Sequence, residues 1–360
     1  MGRRLLAESP AFAARIAECE RALEPWVPYS LTGVLQGTED VDWTRVDVIQ
    51  PVLWAVMVSL AEVWRSYGVR PAAVVGHSQG EIAAAVVAGA LSLADGARVV
   101  SRRAQTIQGL FGRCGLASLA LSEADTRALM SEVEAGEVVV AAVNSPVATV
   151  VSGPPPQIQE ILVACAERKV RARSIELNYA SHHPSIDAVT GQIAEDLAGV
   201  TPAATDTAFY STVAAGRVET GTLTPDYWAM NLRQPVRFLD TVEALIRDGY
   251  TTFIEASPHP VLANAIHETD ETARPVPTLR RDQDTLDQLH LALAQAHTSG
   301  VPVDWTPLYP AAPGLVDLPT YAFQTERFWP AAGAAGANGW PAGVMRCCRS
   351  WWSWPTGRWC

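Results

Sequence analysis

Apolar residues recur along this chain at more than one spacing, and each change of spacing marks a new element. Across residues 9–23, Phe12, Ile16 and Leu23 lie on one side of a predicted helix. Ser9 holds its capping position and Pro10 its first helical position, where a missing N–H is harmless. A turn-rich stretch follows to about Trp43. Gln50-Pro51 then opens a helix with Val52, Leu53, Val56, Met57, Leu60, Val63 and Trp64 on so many sides that it belongs in an interior, and Gly68 stops it. Residues 72–75 read as a short buried strand that breaks at Gly76-His77-Ser78-Gln79-Gly80-Glu81. A helix of mostly small residues runs on from Ile82 to Gly89, and a further helix over 95–110 carries Arg98, Arg102 and Arg103.

From Leu116 the rhythm changes. The pattern predicts a strand (116–121), a helix (123–133), strands at 137–143 and 147–152, a helix (155–168) and a strand (170–177). That βαββαβ order is the signature of a ferredoxin-like unit. It lies between Ser78 and the paired His182 and His183, as an insertion in a larger α/β domain would. Beyond it the chain predicts a helix over about 185–198, an extended Phe209-Tyr210-Ser211-Thr212, and a helical region from Tyr227-Trp228 that contains Asn231. A buried strand at Phe253-Ile254-Glu255 runs into Ser257-Pro258-His259-Pro260, and a last amphipathic helix covers 282–297. The Pro-rich stretch 302–330 reads as an ordered strap. Past Trp329 the composition turns to Gly and Ala, then to a tail holding five of the 12 tryptophans. Residues 331–360 have no helical or strand period, so they are expected to be disordered or an out-of-frame product.

The expected fold class is α/β. An α/β-hydrolase-like large subdomain (1–115 and 178–300) holds a ferredoxin-like insertion (116–177), with a trailing linker at 301–330.

A serine at the apex of a strand–turn–helix has its Oγ exposed above the strand, with backbone N–H groups following it into the first helical turn. Gly76 is expected to tolerate the strained turn, and Gly80 to let the helix pack close to neighbouring backbone. A bare Gly-x-Ser-x-Gly occurs by chance in roughly one in ten chains of this length. The flanking strand and small-residue helix therefore carry the argument for a nucleophile.

Composition narrows the classes. With 360 residues, 48% hydrophobic and 18% charged, the chain can bury a sizeable core. A net charge of -11 offers no basic field for nucleic acid or an anionic membrane, so an anionic ligand needs local cations. The run from Ile82 to Ala94 is too short and interrupted to span a bilayer, and no apolar stretch of a leader follows Arg3 and Arg4. Cys19, Cys114 and Cys165 are isolated, and Cys347, Cys348 and Cys360 lack metal-site spacing. The expectation is a cytoplasmic protein with free thiols and no metal.

At Ser78 a resemblance enters. From Met1 to about Trp329 the chain resembles an acyltransferase domain of a modular type I polyketide synthase with its trailing linker. Gly76-His77-Ser78-Gln79-Gly80-Glu81 resembles that family's nucleophile motif. Arg45-Val46-Asp47-Val48-Ile49-Gln50, Tyr179-Ala180-Ser181-His182 and Gln79 resemble the places where methylmalonyl-selective members differ from malonyl-selective ones. Tyr321 to Trp329 resembles the end of the linker that wraps back over the ketosynthase side.

The resemblance implies a two-step transfer. Ser78 attacks methylmalonyl-CoA with His182 as base, and the phosphopantetheine thiol of an acyl carrier protein then takes the acyl group. It implies the Gln79 N–H as an oxyanion donor, Arg103 as the grip on the extender carboxylate, and a backbone carbonyl at Asn231 orienting the base. It also implies Gln79, Tyr179 and Ser181 as substrate-binding residues, with Gln50 and His259 supporting the site's architecture. Arg102 is the alternative clamp and His183 the alternative base. Serine at 181 leaves room for an α-methyl group where malonyl-type members carry an aromatic. One methyl adds only about 0.8 kcal/mol of burial, so pocket size alone rejects malonyl only roughly 10- to 200-fold.

Family members normally begin with a strand and a Gly-Gln-Gly-Ser-Gln loop, just ahead of the Met-Gly that opens this chain, and that loop supplies the second oxyanion donor. The expectation is therefore a fragment or misassigned start, with a sheet edge left unpaired and turnover lowered on the order of 100- to 1000-fold. The alternatives are a serine esterase or thioesterase, which would want an acid behind its histidine, and an inactive scaffold fragment.

Overall fold

Four helices build the first layer: α1 (Arg3–Glu8), α2 (Pro10–Leu23), α3 (Leu31–Gln36) and α4 (Val46–Ser66). The computed structural model of the chain describes residues 2–110, 112, 114–175, 181–283, 285–309, 317, 319, 321 and 322. α2 starts as its sequence dictates: Ser9 Oγ accepts from the Phe12 N–H at 3.3 Å with Pro10 next in line, a cap worth about 1 kcal/mol. Its stripe of Phe12, Ile16, Cys19 and Leu23 is buried against the interior.

α4 corrects the sequence expectation, beginning at Val46 and running through Pro51. Proline at 51 leaves the Asp47 carbonyl without its helical partner. The Tyr29 hydroxyl donates to that carbonyl at 3.4 Å and to Val48 O at 3.3 Å, so tertiary structure supplies what the helix lost. The other end closes as predicted: Gly68 adopts φ 76°, its N–H bonds Arg65 O, and the Val69 N–H bonds Trp64 O. By length and composition α4 could cross a membrane, but most of it is buried inside the protein, where it packs on α2.

Strand β1 (Ala73–Val75) leads through the serine turn into α5 (Gly80–Ala88), and α6 (Leu93–Gln108) follows, capped by Ser92. Next come β2 (Gly115–Leu119), α7 (Glu123–Glu132), β3 (Val139–Ser145), β4 (Ala148–Gly153), α8 (Pro155–Glu167) and β5 (Ala172–Ile175). Their sheet order, β5-β2-β4-β3, with antiparallel neighbours, is that of a ferredoxin-like unit. Leu119, Val151, Leu129, Ile158 and Ile161 form the core between this sheet and its two helices.

The helix expected over 185–198 is broken into a 3₁₀ turn (Pro184–Ala188) and α9 (Thr190–Asp196). Beyond it lie β6 (Ala208–Ser211), β7 (Gly216–Val218), α10 (Pro225–Arg233), β8 (Val236–Arg237), α11 (Phe238–Arg247), β9 (Thr252–Glu255), α12 (Ala263–Thr269), β10 (Arg274–Pro277) and α13 (Leu286–Thr298). α13 starts at Leu286 and not at Asp282, because Asp282 takes a left-handed φ of 62° and Thr285 is the cap. β1 pairs in parallel with β6, and β9 with β10; among the described residues each of β1 and β9 has one paired edge. The two residues of β8 extend the ferredoxin-like sheet by pairing in parallel with β3, a connection the sequence pattern did not reveal.

Residues Met1–Pro310 form one compact unit. Of the second, Ala311–Cys360, the described residues Asp317, Pro319, Tyr321 and Ala322 are exposed. The expected strap beyond Tyr309 and the tail at 331–360 otherwise lie outside the described residues.

Candidate active site

The sharp turn after β1 is made by the serine itself: Ser78 has φ 54°, in the left-handed region that side chains rarely adopt. Gly76 serves a different purpose from the one expected. A Cβ on it would sit 2.1 Å from the Glu81 nitrogen and 2.2 Å from the Gly80 carbonyl carbon, so glycine permits the turn to fold back onto its own helix. At Gly80 a Cβ would meet nothing within 4 Å, so no close approach depends on it. The turn is tied by Gly80 N–H to His77 O at 2.9 Å and Glu81 N–H to Ser78 O at 3.1 Å. The Gln79 N–H donates to no group among the described residues, which leaves it available at the start of α5.

His182 meets Ser78 from the far side of the ferredoxin-like unit. Its Nε2 lies 2.8 Å from Ser78 Oγ, its Nδ1 lies 2.6 Å from Gln234 O, and its backbone N–H donates to Leu232 O at 2.8 Å. The imidazole therefore carries its proton on Nδ1 and presents a lone pair to the serine hydroxyl. The orienting carbonyl is that of Gln234, which corrects the assignment to Asn231. Asn231 is inside α10, whereas Gln234 caps it with ψ 152° before Pro235, so its carbonyl has left the helical ladder. Burial, then the nearby charge of Arg103, pulls the His182 pKa from 6.5 down to about 3 against the Gln234 hydrogen bond. The group is a neutral base at physiological pH.

Arg103 is 1% exposed, an unusual place for a guanidinium. Its Nη1 donates to Asn231 Oδ1 at 2.6 Å and its Nη2 to Ser78 Oγ at 3.2 Å. The alternative, Arg102, turns to another face of α6, stacking 5.0 Å from the Trp26 ring centroid and bonding Gln105. Arg98 sits over the same ring and donates to Asp196 O. His183, the alternative base, uses both ring nitrogens structurally: Nδ1 accepts from the Ser185 N–H and Nε2 donates to Glu137 O.

Other expected site residues fall out unequally. Ser181 is buried beside His182, Gln50 is buried in α4, and Tyr179 lies outside the described residues. His259 is exposed, and its Nδ1 accepts from the Arg281 N–H, with no bond to Ser78, His182 or Arg103 among the described residues.

Two groups escaped the sequence reading. Glu81, fully buried, accepts from Thr212 and Tyr227 and takes the Asn231 amide at 2.9 Å. Burial pushes its carboxyl above the ordinary value, against those hydrogen bonds and the charge of Arg103. A lone charge at the head of the otherwise uncharged α5 was the available signal. The other is the pair His77 Nε2 and Asn144 Oδ1, 2.8 Å apart, joining the residue before the nucleophile to β3; nothing in sequence spacing links them.

A deprotonating base beside a serine, a buried cation touching the same oxygen and an unused helix-start N–H suit attack on an activated acyl group. Among the described residues the partner of His182 Nδ1 is the Gln234 carbonyl, where a triad hydrolase would have an acid. Surface hollows of about 430 and 370 Å³ are lined by the ferredoxin-like part, the larger also by Leu239 of α11, and neither is lined by Ser78, His182 or Arg103. Among the described residues no cluster of three or more His, Cys, Asp or Glu could hold a metal.

Residues 1–303 match the family described as the acyl transferase domain. The chain is 47% identical over 354 residues to the spectinabilin polyketide synthase system protein NorA' of Streptomyces orinoci, covering 96% of this chain and 10% of that protein. It is 49% identical over 334 residues to the pikromycin polyketide synthase component PikAIII of Streptomyces venezuelae, covering 91% of this chain and 21% of that one. It thus spans between a tenth and about a fifth of these relatives. Its structure is similar to the acyltransferase domain from module 8 of the salinomycin polyketide synthase, with TM-score 0.80 and 47% identity over 82% of this chain and 71% of that one. The malonyl CoA-acyl carrier protein transacylase (fabD) from Coxiella burnetii shares the fold at TM-score 0.72 and 23% identity, over 82% of this chain and 92% of that one.

Proposed function

The chain belongs to the acyl transferase domain family, and from that premise we propose that it transfers a methylmalonyl extender unit from coenzyme A to Ser78 and on to the phosphopantetheine thiol of an acyl carrier protein. The observation that carries the reading is the 2.8 Å contact of Ser78 Oγ with the neutral His182 Nε2, with Arg103 on the same oxygen. Ser78 Oγ attacks the thioester carbonyl as His182 takes its proton, and the developing oxyanion faces the Gln79 N–H. Collapse breaks the C–S bond, and the coenzyme A sulfur leaves with the proton held on Nε2. The carrier thiol then gives its proton to His182 and attacks the acyl-serine, and Ser78 Oγ leaves with that proton.

Arg103 holds the free carboxylate of the extender unit, since a guanidinium stays charged when buried and binds carboxylate through two N–H groups. On this reading Ser181, buried beside the base, faces the α-methyl group, Gln79 and Tyr179 are the further substrate-binding residues, and Gln50 supports them. Asn231 supports the clamp through its side chain. On this reading the chain works in the cytoplasm beside a ketosynthase domain of the same module, and carries no resident cofactor. Its functional parts are the large subdomain (1–115 and 178–300), the insertion (116–177) and a linker at 301–330.

The test is intact mass after incubation with methylmalonyl-CoA. A methylmalonyl adduct that Ser78→Ala abolishes is the expected result. Free methylmalonate without adduct would instead mark a hydrolase, and an unchanged protein an inactive scaffold.

A further inference from the structure

Glu81 is completely buried three residues after the nucleophile, and its two oxygens meet four donors. Oε1 accepts from the Thr212 N–H at 2.6 Å and the Thr212 hydroxyl at 2.5 Å. Oε2 accepts from the Tyr227 hydroxyl and from Asn231 Nδ2 at 2.9 Å. Glu81 Oε2 takes the Asn231 amide as an acceptor, so that amide turns its NH₂ toward Glu81. Its oxygen is then turned the other way, to Arg103 Nη1 at 2.6 Å, and the same guanidinium reaches Ser78 Oγ through Nη2. Were the amide reversed, its NH₂ would face a guanidinium that has only donors, and the clamp would lose its rest position.

We propose that Glu81 is a positioning residue that fixes the orientation of the Arg103 clamp through Asn231, and so sets the preference for carboxylated acyl groups. The inference rests on the reading of Arg103 as the carboxylate clamp. A second branch leads the same way: Thr212, held by Glu81, accepts on its carbonyl from the Arg237 N–H at 2.8 Å, three residues after the Gln234 carbonyl that orients His182. Both partners of Ser78 are thus anchored to one carboxylate. A Glu81 acting only in stability would not discriminate between acyl groups.

Polarity makes the idea testable. In Glu81→Gln the side-chain oxygen can satisfy Thr212 only by presenting NH₂ to Asn231, donor against donor. Adding Asn231→Asp restores a consistent chain: the glutamine NH₂ donates to the new carboxylate, which still accepts from Arg103. Acylation of Ser78 is followed by intact mass with methylmalonyl-CoA and with isobutyryl-CoA, in which a methyl group replaces the carboxylate, and melting midpoints monitor folding. Glu81→Gln should lower the ratio of the two rates at least about tenfold, equivalent to about 1.4 kcal/mol, and the double variant should bring it back to within about threefold of the unaltered chain. An unchanged ratio in a folded Glu81→Gln, or a folded double variant without recovery, overturns the proposal. Failure of both to fold assigns Glu81 to stability alone and overturns it equally. Arg103→Ala separates the underlying reading: if it leaves the ratio unchanged, the clamp itself is wrong, whereas collapse there with no effect at Glu81 removes only the role of Glu81.

Discussion

Lowering the pH from 7 to 5 should destabilise this protein in part through one buried side chain, His182. Its folded-state pKa is about 3 against an ordinary 6.5, because the ring is buried and faces Arg103. Between those values the unfolded chain binds a proton that the folded chain refuses, so stability rises with pH across that window and is complete above 6.5. Each pH unit is worth about 1.4 kcal/mol, so from pH 7 to 5 the loss from His182 alone is about 2 kcal/mol. Urea unfolding at pH 7, 6 and 5, compared between the chain and His182→Gln, isolates this contribution, since the other histidines cancel in the difference. The unaltered chain should lose about 2 kcal/mol more than the variant over that range. The same neutral ring implies that acylation by methylmalonyl-CoA shows no fall centred near 6.5. Equal pH slopes for the two proteins, or a rate that halves near pH 6.5, would refute the reasoning.

Two further outcomes follow from the geometry of the turn and the pocket. Gly76→Ala drives a Cβ into the backbone of Gly80 and Glu81, which cannot move aside as a flexible side chain could, so a loss of about 3 kcal/mol or more in denaturant unfolding is expected; near-native stability would show that the turn can open. Ser181→Phe puts a bulky ring beside the buried His182, and competition between malonyl-CoA and methylmalonyl-CoA should then shift toward malonyl by roughly 10-fold or more; an unchanged ratio would place the α-methyl group elsewhere.

Much of the fold was legible because its signals are local. Ser9-Pro10 and Gly68 mark helix ends through chemistry confined to a few residues, and the βαββαβ rhythm of the ferredoxin-like unit follows from periods of 2 and 3.6. α4 was misplaced at its start because Pro51 reads locally as a first-turn residue, and only Tyr29, 22 positions earlier in sequence, makes an interior proline tolerable. The serine turn was legible as a turn, yet the purpose of Gly76 was not, since close approach of backbone to backbone leaves no mark on periodicity.

The sequence by itself determined the nucleophile motif, the histidine that follows the inserted unit, the α/β class and the family resemblance, all of which depend on residue type and short-range order. Tertiary structure decided between Arg103 and its alternative Arg102 in reaching Ser78, because neighbours on a helix point about 100° apart and only packing selects the inward face. It also decided that the carbonyl behind His182 is that of Gln234, and that Glu81, Asn231 and Arg103 form one hydrogen-bonded chain. Those contacts join residues between 52 and 150 positions apart, and a donor finds its acceptor over such a span only after the hydrophobic core has fixed both backbones.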